Sequence, residues 1–159
     1  MSVDALTDLV ERAFLASQVS RKNARIVAEA LVAAEIDGQG GHGVSRVTLY
    51  AAQARSGKVQ GQAEPQLIKT RTGVLHVDAH HGFAFPALNL INNELPGIAA
   101  AHGVAAAYVF NSHHCGQLGA HVEALAQSGV VALMVANSPP AMAPWGGSAP
   151  LFGTNPIAV

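Results

Sequence analysis

From Ser2 to Ser56 the apolar positions recur at helical spacing. Ala5, Leu6, Leu9, Val10, Ala13 and Phe14 predict a first helix. A second starts at Ser20, a residue suited to an N-cap, and carries Ile26, Val27, Ala30, Leu31 and Ala34 on one face. Gly38 ends it. The glycine-rich turn Gly38-Gln39-Gly40-Gly41 leads to a third helix, predicted from His42 or Val44 to Ser56 and closed by Gly57.

Beyond Gly57 the period shortens. Leu67 to Arg71 and Val74 to Asp78 read as strands joined at Thr72-Gly73 in a hairpin. Phe83 to Ala101 reads as a helix, with Pro86 in its first turn and Pro96-Gly97 bending or interrupting it. Val104 to Phe110 is a strand, Leu118 to Gln127 a helix, and Val130 to Ala136 a fully apolar strand. Strand, helix and strand at this spacing form a crossover unit, so the last two strands are expected to be parallel and buried on both faces. The pattern predicts an α/β fold in two parts. A helical N-terminal segment spans 1–60, and a mixed sheet with crossover helices spans 61–159. The sequence closes on Gly153-Thr154-Asn155-Pro156-Ile157-Ala158-Val159, without a cap or a polar tail, so the second part is expected to be incomplete, truncated within the domain.

Composition narrows the class. Half of the 159 residues are hydrophobic and 12% are charged, so part of the surface is expected to be covered by a partner subunit or by more chain. A net charge of -1 and a pI near 6.7 give no basic field for nucleic acid or an anionic membrane. Cys115 is the only cysteine, which excludes an internal disulfide and fits a reducing compartment. Met1-Ser2-Val3-Asp4 does not begin a signal peptide, and the apolar run Val130 to Ala136 is too short to span a bilayer. A soluble, cytoplasmic protein is expected.

Gly38, Gly40 and Gly43 match the G-x-G-x-x-G dinucleotide fingerprint, but a helix precedes them where the fingerprint needs a strand. The turn is read as a helix-to-helix connection, and the fold as non-Rossmann. The residues just beyond the turn are more telling. His42, Arg46 and Tyr50 stand at i, i+4 and i+8, each step about 40° round a helix, so they are predicted to share one face. A helix N-terminus disfavours an imidazolium and keeps a neutral ring available. Arg46 offers a planar fork for a carboxylate, and Tyr50 a phenol that can donate to the same ligand. The same residues also suit a polar surface helix with a capping histidine.

A second cluster, Asn111-Ser112-His113-His114-Cys115-Gly116, comes directly after the Val104 to Phe110 strand, where open α/β sheets place ligands. Its histidines could instead be satisfied by backbone. A metal site is a further reading, but His113, His114 and Cys115 lack ligand spacing, and no metal is expected. A third cluster joins Asn137-Ser138-Pro139-Pro140, Pro144-Trp145-Gly146-Gly147 and Phe152 to Pro156. These are loops whose backbone amides can approach a phosphate or carboxylate, and ordinary turns have the same composition.

Taken together, these segments resemble the malate/L-lactate dehydrogenase family. The matching pieces are Asp37 to Arg46 with Tyr50, Asn111 to Gly116, Ala143 to Gly147 and Leu151 to Ala158, in the family's order and over nearly the whole chain. The resemblance implies an oxidoreductase that uses NAD or NADP to reduce a small 2-keto or cyclic 2-imino carboxylic acid, or to run the reverse oxidation. It implies His42 as general acid/base, Arg46 as carboxylate clamp and His114 as proton donor or substrate ligand. Tyr50, His113 and Thr154 would line the substrate pocket, and Ser138 and Pro139 would approach the cofactor. Gly41 stands where most members carry serine. The pair His113-His114 with Leu118 is similar to the imino-acid reductase branch, although that branch usually has an aromatic at the position of Cys115. The expected partners are a small carboxylate and a second copy in a homodimer. Since members are considerably longer, the alternative is a catalytically inactive fragment or structural remnant.

Overall fold

The computed structural model describes residues 1–159, the side chains of Lys69 and Thr70 excepted. By contact the chain forms two compact units, 1–117 and 118–159, and the helices up to residue 60 lie within the first together with three strands.

Helix α1 (Val3–Leu15) starts at Ser2, whose hydroxyl accepts from the Ala5 amide. Helix α2 (Arg21–Ile36) starts at Ser20, which accepts from Asn23. The cap at Ser20 is the one the sequence predicts. A 3-10 turn over Val44–Arg46 then precedes α3 (Val47–Arg55). The third helix therefore does not begin at His42, which lies in the turn before it. Nor do His42, Arg46 and Tyr50 share one continuous helical face, because they lie in the turn, the 3-10 segment and α3 respectively. The cause lies in Gly38, Gly40, Gly41 and Gly43, whose backbone freedom makes helix nucleation before Val44 unfavourable.

Strands β1 (Gln66–Arg71) and β2 (Val74–Asp78) form the expected hairpin. Arg71 pairs with Val74 across the turn, where Gly73 supplies a φ of +75°. Helix α4 (Ala84–His102) runs unbroken through Pro96, whose missing N–H frees a carbonyl in the more exposed half of the helix. It returns the chain to β3 (Ala106–Phe110), which lies parallel to β2 with Val77 opposite Val109. The sheet order is β1-β2-β3, and α4 covers one face of it through Ala87, Ile91 and Leu95.

The crossover unit is thus β2-α4-β3, not the later pair predicted. In the second unit, α5 (Leu118–Ala126) precedes β4 (Met134–Val135), which pairs antiparallel with β5 (Ile157–Ala158). The Val130 to Ala136 run is not buried on both faces. Val131 is 96% exposed and Leu133 68%. Apolar sequence alone does not make a buried strand, which also needs neighbours to pair with and to cover it.

The main core gathers Val10, Phe14, Val27, Leu31, Tyr50 and Phe83 between α1, α2, α3 and the start of α4. Asn23, 1% exposed, ties the segment before β1 to this core. Its amide donates to the carbonyls of Gly61 (3.0 Å) and Ala63 (2.8 Å). Among the described residues no helix is long and apolar enough to cross a membrane.

Candidate active site

The turn that carries His42 is fastened from both sides. Glu35, in the last turn of α2, accepts from the Val44 amide at 3.0 Å and so satisfies a free donor at the start of the 3-10 turn. Gly43 packs so closely on Glu35 that an added Cβ would meet its carboxylate, with its backbone N at 3.1 Å. Ser45 Oγ donates to the Gly40 carbonyl, and Arg46 Nε donates to that of Gly41, each at 2.5 Å. The amide of His42 donates to Gln39 at 2.7 Å. These bonds orient the Arg46 guanidinium and fix the place of the imidazole. His42 Nδ1 is buried with no hydrogen-bond partner among the described residues.

The second histidine-bearing segment is anchored where β2 and β3 end. The parallel pairing is carried onward by Ala79 N–H to the Phe110 carbonyl (3.0 Å) and His81 N–H to that of Asn111 (2.7 Å). His80, His81 and Asn111 all take positive φ, between 50° and 59°. Such backbone is uncommon without glycine and is retained here by its surroundings. Asp78 Oδ1 accepts from the His80 amide (2.8 Å) and from Asn111 Nδ2 (3.1 Å). These bonds, the first above all, hold its carboxyl below the usual range. His113 N–H donates to the Gly82 carbonyl at 3.0 Å and fixes the start of the histidine pair.

The His114 ring lies parallel to that of His42, with centroids 5.4 Å apart and planes 7° from parallel. Its Nδ1 meets the Tyr50 hydroxyl at 2.6 Å and the Gly116 amide at 3.1 Å. Burial lowers the affinity of His114 for a proton, and the nearby His42 and Arg46 lower it further. Burial pushes the Tyr50 phenol up to about 12, which Arg46 opposes and Cys115 reinforces, so Tyr50 stays a donor. His113 is pushed down to about 4, by burial first and then by His114 and Lys58. Its ring stands edge-on to Tyr50 (4.7 Å) and Phe83 (5.7 Å), and its Nε2 meets Gln53 Oε1 at 2.9 Å. Burial raises the Cys115 thiol, so it stays protonated. Among the described residues no three His, Cys, Asp or Glu side chains gather in a way that could hold a metal ion.

His42, Arg46, Tyr50, His113 and His114 are therefore neighbours within the first unit. Ser138, Pro139 and Thr154 lie in the second. There Ser138 Oγ and Thr154 Oγ1 are 3.0 Å apart, and Ser138 and Asn155 exchange bonds between amide and side chain. Gly153 closes this loop pair, since a Cβ on it would strike the Ser138 carbonyl. Sequence reasoning missed Gln53 and Glu35. Only Gln53 left a signal, standing three residues after Tyr50 and hence on the same helix face.

The same chain has relatives of known kind. A family model described as malate/L-lactate dehydrogenase matches residues 1–159. A (2R)-3-sulfolactate dehydrogenase (NADP(+)) from Chromohalobacter salexigens is 48% identical over 88% of the chain, which covers 42% of that protein. A Δ1-pyrroline-2-carboxylate/Δ1-piperideine-2-carboxylate reductase from Pseudomonas putida is 41% identical over 96% of the chain and 45% of the relative. The crystal structure of Δ1-piperideine-2-carboxylate reductase from Pseudomonas syringae superposes with a TM-score of 0.83 at 34% identity. The match covers 99% of this chain and 47% of that one. The chain thus spans about half the length of the curated relatives it matches.

Proposed function

The chain belongs to the malate/L-lactate dehydrogenase family, and on that premise we propose that it is part of an NAD(P)-dependent oxidoreductase acting on a small 2-keto or cyclic 2-imino carboxylic acid. The observation that carries this reading is the convergence of His42, Arg46 and His114 from two separate stretches of chain.

A 2-oxo or 2-imino acid presents a carboxylate beside the carbon to be reduced. Arg46, its Nε tied to Gly41, has the planar fork that pairs with such a carboxylate in two parallel bonds. Reduction leaves an oxygen or nitrogen that needs a proton, and a positioned histidine is suited to hold and deliver one. We assign that role to His42, with His114 as second donor or substrate ligand. Burial, the His42 ring stacked on it and the nearby Arg46 make a proton on His114 unfavourable.

The hydroxyls of Ser138 and Thr154 sit on a glycine-closed loop pair, and that of Ser138 suits a polar group of a nicotinamide cofactor. Ser138 and Pro139 are assigned to that cofactor, and Thr154 to the substrate. When bound, the nicotinamide supplies the hydride, and the protein's residues orient the substrate and manage its proton. His113 and Tyr50, also expected to line the substrate pocket, engage their polar groups mainly within the protein. The low charged share, together with the exposure of Val131, Trp145 and Ile157, supports a surface covered by a partner, which we take to be a second copy in a cytoplasmic homodimer.

The test is NADH and NADPH oxidation against pyruvate, oxaloacetate and piperideine-2-carboxylate, with sulfolactate in the reverse direction. It is run on this chain and on any longer in-frame product. Turnover abolished by His42→Ala supports the reading. Silence from every form favours the alternative, a catalytically inactive remnant that keeps the fold.

A further inference from the structure

In the sequence His113 and His114 are adjacent imidazoles with nothing to tell them apart. Helix α3 treats them differently. Tyr50 and Gln53 stand three residues apart on it and leave the same face. Each hydrogen-bonds one ring: Tyr50 Oη at Nδ1 of His114 (2.6 Å), and Gln53 Oε1 at Nε2 of His113 (2.9 Å).

The chemistry of the partners fixes where the protons are. The Gly116 amide, 3.1 Å from Nδ1 of His114, can only donate, so that nitrogen carries a lone pair. The Tyr50 hydroxyl then donates to it as well. A neutral imidazole with a bare Nδ1 holds its proton on Nε2, and His114 is left as an Nε2–H donor. At His113 the Gln53 carbonyl oxygen can only accept, so Nε2 carries the proton and gives it to the glutamine. The other nitrogen of His113 is buried and has no hydrogen-bond partner among the described residues. Tyr50 and Phe83 close the ring in edge-on. His113 therefore has its mobile proton turned into the protein, whereas the donors on His114 Nδ1 leave its proton on Nε2, where it is not held by Tyr50 or Gly116.

We propose that Tyr50 and Gln53 are positioning residues that select between the two histidines: Tyr50 sets His114 as an Nε2–H donor, and Gln53 withdraws His113 from proton transfer by engaging its Nε2 proton. The catalytic meaning of this selection rests on the function proposed above. The protonation pattern itself does not, and it is measurable without turnover. The titratable and charged groups facing His114 are His42 and Arg46 from the turns before α3, Tyr50 from α3, and His113 and Cys115 from its own loop.

The experiment is nitrogen NMR of the 159-residue chain with labelled imidazoles, the signals assigned from His113→Asn and His114→Asn. In the unaltered chain both rings are expected as Nε2–H tautomers at neutral pH. In Tyr50→Phe, which keeps the ring in the core, His114 loses a donor that favours its neutral form. Its titration should move to higher pH by about half a unit or more, with His113 unmoved. In Gln53→Leu the tautomers of His113 should become mixed while His114 keeps its titration, and Gln53→Glu should restore the Nε2–H form. A proton on Nδ1 of His114 in the unaltered chain overturns the proposal whether or not the variants fold. So does a Tyr50→Phe titration identical to that of the parent. Tautomers as expected without any reductase activity would sink the function but not this assignment. Active enzyme with the wrong tautomers would do the reverse.

Discussion

The imidazoles of His42 and His114 lie parallel at 5.4 Å, one in a glycine-rich turn and the other in a loop beyond a parallel strand. Neither ring is on a helix. Their meeting depends on the bonds that pin each segment, and the consequences can be tested one at a time.

In the catalytically competent enzyme, His42→Ala should lower kcat by a factor of about 10² or more. Arg46→Lys should instead raise KM, because an ammonium cannot reproduce the bidentate contact. Steady-state kinetics separate the two. Unchanged kcat in the first variant removes His42 from proton delivery, and unchanged KM in the second removes Arg46 from the clamp.

His113 gives the fold an acid limit. Its pKa in the folded chain is about 4, below the ordinary 6.5, so the unfolded chain takes up the proton first as pH falls. The neutral ring's contribution is full above 6.5 and drains away between 6.5 and 4. With allowance for its partial exposure, the loss should be on the order of 2 kcal/mol. Urea unfolding at a series of pH values should show this slope in the parent and a flatter one in His113→Asn.

Asn23 bridges two backbone carbonyls from inside the core. Asn23→Ala leaves them without a donor and should destabilise by about 2 kcal/mol. Asn23→Asp should be worse, since it sets a carboxylate against the same oxygens. Equal unfolding midpoints for the two variants would show that the bridge is not what holds the segment.

Two glycines of one turn should differ in what they tolerate. Gly43→Ala drives a Cβ toward the Glu35 backbone at 3.1 Å and should cost about 1–3 kcal/mol while displacing His42. Gly41→Ser has nothing within 4 Å and should change stability by less than about 0.5 kcal/mol. Thermal melts of the pair decide it.

Much of the fold is legible in the chain. The cap at Ser20 and the Thr72-Gly73 turn come from local chemistry, and the helical spacing of Val27 and Leu31 comes from burial of one face. The pairing of β2 with β3 is not legible, because an apolar strand does not state its neighbour, and Val130 to Ala136 looks equally eligible. At the site, residue type marks out His42, Arg46 and His114. Of the two starts the pattern offers for the third helix, Val44 opens the 3-10 turn that leads into α3, while His42 lies before it among four glycines. Gln53 escapes notice because its spacing from Tyr50 marks a shared helix face but not the ring that it meets.

The fastening of the His113-His114 loop has one more implication. The backbone bonds from Ala79 and His81 to the end of β3, and from His113 to Gly82, lock a stretch with three left-handed residues into a single course. The conformational entropy of that stretch is surrendered when the protein folds, not when a ligand arrives. A molecule entering beside His114 would find its contacts already aimed, so its affinity would carry little penalty for ordering the loop. Loosening those bonds would weaken binding without removing any group that touches the ligand.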